Sequence, residues 1–479
     1  MRHDTHNPVG RFSGLDPIFC ISDKLCYLCE PIKNRPALNR NELRHEQERR
    51  RQNSTPKKHK TLMWFYNFGL RLYAAIIRLA AVRHTKARLW TEGRKGLFRR
   101  MEQAIDPTAR IVWIHVASLG EFEQGRPLIE RLRKEDPEVK ILVTFFSPSG
   151  YEVRKDYPLA DCVCYLPFDT PLRVHRFLDR VRPEKAIFVK YEIWRNYLHE
   201  LYRRQIPTYL ISAAFRPDQK FFKRSFAWYG LWLKWFTKIF VQDEESRKLL
   251  ASINVTNVEV TGDTRFDRVA KIRETAKAIP ELETFSGRAS GAERPLLMMA
   301  GSSWPKDEDV YIPWFNSHPD VKIVVAPHEF DEARLKKLVE RFDNGAVLLS
   351  EARSNPDSMQ GKQALIIDCF GLLSSAYAYC DVAYVGGGFG VGIHNINEPA
   401  VYGVPVIYGP CHNRFVEAIE MAKVGCGLPI TGRDDFDAMA DRLFTDSDHR
   451  KKLGRWAEEY IQSKLGATDR IYSALFEKK

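Results

Sequence analysis

From residue 110 onward, short β-branched or aromatic runs alternate with amphipathic stretches of helical length, and the alternation occurs twice. "RIVWIHV", "KILVTFF", "KAIFVK", "PTYLIS" and "KIFVQ" are apolar at nearly every position. They read as parallel strands buried on both faces, with helices such as "FEQGRPLIERLRKE" between them. After a polar connection near 270–294 the pattern restarts with "PLLMMAGS", "VKIVVAPH", "QALIID", "DVAYVGG" and "VPVIYG". Strands of this kind must be covered by helices on both sides, which specifies a doubly wound α/β domain. A chain of 479 residues also exceeds the length at which one core stops growing, roughly 250–300 residues. Two such domains are therefore expected, over 101–270 and 271–479, with the C-terminal helix free to pack back on the first.

The net charge of +13 is localised. Residues 1–100 hold 22 Lys and Arg against 8 Asp and Glu, leaving 52 against 53 for the rest. A neutral body with a basic N-terminal end argues against a nucleic-acid-binding domain, which would spread positive charge over a folded face. Residues 1–62 are polar and basic without a periodic apolar face, so disorder is expected there; a gene start called upstream of Met63 would account for the segment. The nine cysteines form no disulfide-like framework. Cys20, Cys26 and Cys29 lack a fourth ligand at zinc-like spacing.

From Met63 the chain reads "MWFYNFGLRLYAAIIRLAAVRHTKARLW". On a helix Asn67, Arg71 and Arg78 lie within about 40° of one another, a polar stripe on an apolar cylinder. A spanning helix would bury both arginines at a cost of several kcal/mol. Lying in the interface, the helix keeps them at the headgroups, and the basic run that follows to residue 100 favours an anionic leaflet. The alternative is a helix packed on the protein's own core. Trp228, Trp232 and Trp235, at helical spacing in "FAWYGLWLKWF", read as core.

Open α/β sheets bind ligands beyond the carboxyl ends of their strands, and two such sheets make a natural site of the cleft between them. After the first strand, "ASLGEFEQGRP" sets Ser118 ahead of Glu121 at a helix start, where the carboxylate either decorates the first turn or acts as a general base. After "KAIFVK", "YEIWRN" supplies Glu192, either a second working carboxylate or the partner of Lys190 or Arg195. In the second domain Ser302 and Ser303 precede a helix N-terminus suited to phosphate. His328 follows the next strand, to contact a nucleotide or cap the following helix. "DVAYVGGGFGVGIHNINEPA" runs from a strand into bare backbone at Gly386, Gly387 and Gly388, able to approach a phosphate, then into a helix carrying Glu398, suited to a ribose diol. Its spacing fits neither the dinucleotide fingerprint nor the P-loop.

These strand-end motifs resemble the 3-deoxy-D-manno-octulosonic acid (Kdo) transferases of lipid A and lipopolysaccharide biosynthesis. The likeness runs from about residue 63 to the C-terminus through "WIHVASLGE", "YEIWRN", "VTGDTRFD", "AGSSW", "APHE", "GGGFGVGIHNINEPA" and "GVPVIYGP". It implies a GT-B glycosyltransferase: two Rossmann-like domains across a cleft, the second binding CMP-Kdo. It also implies inverting transfer to a hydroxyl of the lipid A precursor at the cytoplasmic face of the inner membrane, with no metal and no cofactor. On this resemblance Glu121 is the catalytic base and Glu192 a second functional carboxylate. Ser302, Ser303, Gly388, His394, Asn395 and Glu398 fall in donor motifs. Ser118, Arg71 and Arg78 are placed with the acceptor and the membrane. Two departures are visible: many members have Pro-Arg-His where this chain has Pro327-His328, and Gly-Gly-His-Asn where it has Gly392-Ile393-His394-Asn395. The alternatives are a membrane-associated GT-B transferase using a UDP-sugar, and a non-catalytic nucleotide- or lipid-binding scaffold.

Overall fold

The structure, a computed structural model, describes residues 56–106, 108–223, 226–288 and 294–477. Of the extension expected to be disordered over 1–62, residues 1–55, with Cys20, Cys26 and Cys29, lie outside the described residues, whereas 56–62 are helical and begin the helix that continues past Met63. Two compact units emerge: the chain up to Thr264 together with the segment from Gly466, and Arg265–Leu465.

The first unit is a seven-stranded parallel sheet of β1 (Ile111–Val116), β2 (Lys140–Phe145), β3 (Cys162–Tyr165), β4 (Lys185–Val189), β5 (Thr208–Ala213), β6 (Lys238–Val241) and β7 (Val258–Val260), in the order β3-β2-β1-β4-β5-β6-β7. The second has β8 (Leu297–Ser303), β9 (Lys322–Pro327), β10 (Ala346–Leu348), β11 (Ala364–Ile366), β12 (Val382–Val385), β13 (Val406–Tyr408) and β14 (Gly427–Pro429), in the order β10-β11-β9-β8-β12-β13-β14. The strand order reverses between β1 and β4 in the first sheet and between β8 and β12 in the second, where β10 and β11 are also exchanged at the edge. The connections leaving such a pair turn to opposite faces, so a crevice opens at their carboxyl ends.

The core follows from the apolar runs. β1 is buried at all six positions, and Trp113 meets Phe177, Phe188 and Tyr197 in edge-on or tilted contacts 4.8–5.4 Å between centroids. Burying each such ring contributes about 1.5–3 kcal/mol. Helix Leu119–Glu135 lies close over the sheet because Gly125 has no side chain; a Cβ there would stand 3.3 Å from Val189. The last helix, Ala467–Phe476, buries Ile471, Tyr472 and Leu475 in the same cluster as Val112 and Leu128. An Arg131–Asp469 ion pair of 2.6 Å ties its first turn to helix Leu119–Glu135. Trp232 is core, with Trp228 and Trp235 half-buried against it, in a short helical turn followed by a 3-10 turn.

The amphipathic segment is a helix from Pro56 to Ala80, followed by helices Thr85–Gly93 and Leu97–Ala104. The alternative of packing on the protein's own core holds for one of its faces. Leu70, Ala74 and Ile77 are buried in the first unit's core, while Trp64, Phe65, Phe68, Leu72, Ile76 and Leu79 are exposed. Arg71 and Arg78 are exposed too, but Asn67 leaves the expected polar stripe: its Oδ1 accepts from Asn196 Nδ2 at 2.9 Å. Among the described residues no helix is long and apolar enough to cross a membrane.

Buried Asp169 anchors this helix. It accepts from Tyr66 Oη at 2.6 Å and from the backbone N–H groups of Asn196 and Tyr197 at 3.2 and 3.1 Å, capping helix Arg195–Arg203. Burial pushes its carboxyl up to about 6 despite these donors. A carboxyl raised above its unfolded value contributes stability that is complete below the unfolded pKa and is lost as pH rises through the folded one. The stability difference between wild type and Asp169→Asn, measured by chemical denaturation, should therefore shift against the wild type by about 2–3 kcal/mol between pH 4 and 7. A difference independent of pH would contradict this role.

Candidate functional site

At the first reversal, Ser118 and Glu121 follow β1, and Lys190 and Glu192 follow β4. Ser118 is the N-cap of helix Leu119–Glu135, and Glu121 reaches back to it. Glu121 Oε2 accepts from the Ser118 N–H at 3.1 Å and from its hydroxyl. That leaves Oε1 directed elsewhere, 3.9 Å from Lys190 Nζ. Glu192 is arranged the same way. Its Oε2 accepts from Trp194 Nε1 at 2.7 Å and lies 3.0 Å from His115 Nε2, and among the described residues no partner engages Oε1. Both carboxylates are largely shielded, with 19% and 15% of their side-chain surfaces exposed.

One expectation for this crevice changes. Glu192 pairs with neither Lys190 nor Arg195; Lys190 faces Glu121, and Arg195 bonds Asn196 at 2.9 Å. Lys190 also holds a left-handed backbone (φ 68°), which costs a non-glycine residue about 1 kcal/mol.

At the second reversal, β8 ends in Ser302 and Ser303, and β12 enters the glycine loop. Ser303 is fully buried with its hydroxyl 2.8 Å from Tyr311 Oη, so it belongs to the core and not to a ligand pocket. Ser302 is half-buried and takes a left-handed backbone (φ 51°). The helix Pro305–Ser317 that follows is not an open phosphate site either, because Asp307 already occupies its N-terminus. Asp307 Oδ2 accepts from the N–H groups of Trp304 at 2.9 Å and Gly387 at 2.8 Å, and Oδ1 from Tyr384 Oη at 2.9 Å. Burial raises this carboxyl even as the amides pull it down.

The glycine loop is therefore largely satisfied from within. The Gly386 N–H donates to Gly301 O, those of Gly390 and Gly392 to Gly387 O, and that of His394 to Gly386 O. Glycine is obligatory at Gly387 (φ 92°), where a Cβ would meet Gly392 O at 2.3 Å, and at Gly388, where it would meet the Gly409 backbone at 2.5 Å. The amides of Gly386, Gly387, Gly390, Gly392 and His394 are thus taken, which leaves the loop's shape and its remaining amides to meet a phosphate.

Side chains line what remains. Glu398, on the short helix Asn397–Ala400, accepts from Ser374 Oγ at 2.7 Å and from Asn395 Nδ2 at 3.1 Å. His328 does not cap the following helix, which Asp331 caps. Its ring stacks on Trp304 (4.7 Å) and on His394 (4.4 Å). Trp304 Nε1 donates to His394 Nε2 at 3.2 Å, which places the imidazole proton on Nδ1. Burial, with His328 beside it, lowers His394 to about 4, so it is a neutral donor at pH 7. Buried Ile393 fills the position of the missing family glycine with a core side chain.

Sequence reasoning missed His115, Trp194, Asp307, Ser374 and the Lys190–Glu121 pairing. Asp307 carried a signal, an acidic residue three places after a strand-end residue, the spacing of a capping box. Ser374 carried none, because it comes from a different segment of the chain.

The family model for 3-deoxy-D-manno-octulosonic-acid transferase (kdotransferase) matches residues 90–268. The chain is 26% identical over 428 residues to the 3-deoxy-D-manno-octulosonic acid transferase of Haemophilus influenzae, covering 84% of this chain and 95% of that one. It is 26% identical over 446 residues to that of Bordetella pertussis, covering 86% and 98%. Among solved structures, the UDP-GlcNAc 2-epimerase of Neisseria meningitidis bound to UDP-GlcNAc matches with a TM-score of 0.54 at 14% identity, over 77% of this chain and 100% of that one. This last likeness concerns the fold alone, the GT-B arrangement of two Rossmann-like domains. Residues 90–268 thus match the 3-deoxy-D-manno-octulosonic-acid transferase model, and most of the chain's length is similar to transferases of that name.

Proposed function

We propose that the protein is an inverting, metal-independent glycosyltransferase that moves Kdo from CMP-Kdo to a hydroxyl of the lipid A precursor. The observation that carries this reading is the carboxylate pair at the β1/β4 crevice. Each has one oxygen fixed by protein donors and the other presented. A nucleotide-activated sugar brings its own leaving group, so the protein must deprotonate the acceptor hydroxyl and hold the departing nucleotide. Glu121 Oε1 is the base. Glu192 Oε1 receives and aims the hydroxyl. Lys190 stands beside Glu121 as the countercharge that balances the carboxylate before it takes the proton.

The donor is held by the second unit. Glu398, oriented by Ser374 and Asn395, takes the ribose diol; neutral His394 donates from Nδ1, and Ser302 lies at the same strand end. Gly386, Gly387 and Gly388 give the pocket its floor, fixed by Asp307.

The acceptor is a lipid, and the N-terminal helices suit an anionic inner-membrane surface at its cytoplasmic face. Trp64 and Leu79 expose 60% and 76% of their surface on one face of the helix, and Val82, just past its end, exposes 86%. Arg78, Lys95, Arg99, Arg173 and Arg176 line an adjoining cavity of about 890 Å³, and Arg71 lines a neighbouring one. Apolar side chains entering the acyl boundary beside arginines at headgroup level support a peripheral attachment.

Glu121→Gln should lower transfer from CMP-Kdo by about 10²-fold or more while the unfolding transition stays in place. Unchanged transfer would favour a scaffold. Changing Arg71 and Arg78 together to Glu should weaken binding to anionic vesicles about tenfold or more, each cation near the surface contributing about 1 kcal/mol. Undiminished vesicle binding would remove these arginines from the attachment surface.

A further inference from the structure

The imidazole of His115 is the deepest part of the β1/β4 crevice. It lies within a fully buried strand and is itself wholly inaccessible to solvent. A buried histidine must satisfy both ring nitrogens, and here the partners admit two tautomers. Nδ1 lies 3.0 Å from Thr144 O and 2.9 Å from Thr144 Oγ1, and that hydroxyl oxygen accepts from Trp113 Nε1 at 2.8 Å. Nε2 faces Glu192 Oε2 at 3.0 Å and the Trp194 Nε1–H at 3.1 Å, but that indole N–H lies nearer the carboxylate, 2.7 Å from Oε2. With its proton on Nε2 the ring donates to the carboxylate while the Thr144 hydroxyl donates to Nδ1; with the proton on Nδ1 it would donate to Thr144 O and accept the Trp194 N–H instead.

We propose that His115 is a positioning residue: its Nε2–H, with the Trp194 indole, immobilises Glu192 Oε2 and leaves Oε1 as the single oxygen presented to the acceptor hydroxyl. The chain Trp113–Thr144–His115–Glu192 runs from the core to the reacting edge, so the aim of Glu192 is set by groups that never meet substrate. This is the support that a reacting carboxylate on a loop needs, since a misplacement of about 1 Å costs on the order of 10²-fold. The assignment rests on Glu192 being a working carboxylate of the proposed transfer.

The test compares His115→Leu, His115→Gln, Glu192→Gln and the pair His115→Leu with Glu192→Gln, all checked for an intact unfolding transition. His115→Leu should lower kcat about tenfold or more with little change in the KM for CMP-Kdo. His115→Gln, whose amide N–H reaches the same place, should recover most of that loss. In the Glu192→Gln background, His115→Leu should add almost nothing, because the two act as one unit. Multiplicative losses, or no recovery with Gln, would reduce His115 to a packing residue and overturn the proposal. A second readout covers the case in which His115→Leu fails to fold: in wild type, the ¹⁵N signal of the His115 ring, assigned by its absence in His115→Gln, should show a proton on Nε2 and move in Glu192→Gln. A proton on Nδ1 alone overturns the proposal. Wild-type protein without transfer activity would instead sink the functional reading itself.

Discussion

The handedness of parallel crossovers governs this molecule. Each connection between parallel strands must return over one face, so a sheet that grows outward in both directions has one pair of neighbours whose connections diverge. In the first unit that pair is β1 and β4, in the second β8 and β12. Every residue given a chemical role in the proposed transfer stands at one of these two places or leans on it. The register that pairs His115 with Phe188 ends β1 and β4 level, and that pairing Gly301 with Val385 carries Ser302 and Ser303 past the end of β12. Short side chains on the following loops can then meet a ligand without long excursions.

Charge is handled differently at the two crevices. In the first, each carboxylate has one oxygen held by donors: Ser118 for Glu121, Trp194 and His115 for Glu192. Tethering costs little because the donors are needed in any case, one to cap a helix and the other to satisfy a buried ring. In the second, the place a phosphate would take in an open helix N-terminus is filled by Asp307, which locks Trp304 and Gly387 together. An internal carboxylate there braces the glycine loop, and in the proposed transfer donor recognition falls to side chains such as Glu398 and His394.

The sequence made the interior strands legible and the edges illegible, for one physical reason. β1, β2, β4, β5, β6 and β8, β9, β11, β12, β13 are covered on both faces and therefore read as unbroken apolar runs. β3, β7, β10 and β14 are the four sheet edges. They are short and partly exposed, as the wholly half-buried β7 illustrates, and they leave no comparable run. In the crevices, local pairings such as Ser118 with Glu121 could be read from spacing. Those joining distant segments, such as Ser374 with Glu398 or Thr144 with His115, could not, because the fold alone makes them neighbours. Ser303 misled because hydroxyls at adjacent strand positions point to opposite faces, and only Ser302 faces away from the core.

The central claim is a specific group transfer, and mass spectrometry of the lipid product tests it most directly. Incubated with CMP-Kdo and a defined lipid A precursor in vesicles, the protein should yield lipid heavier by whole Kdo residues, with CMP released in equal amount. With UDP-GlcNAc in place of CMP-Kdo the lipid mass should stay unchanged. A precursor unaltered by CMP-Kdo, or modified from UDP-GlcNAc instead, would contradict the account.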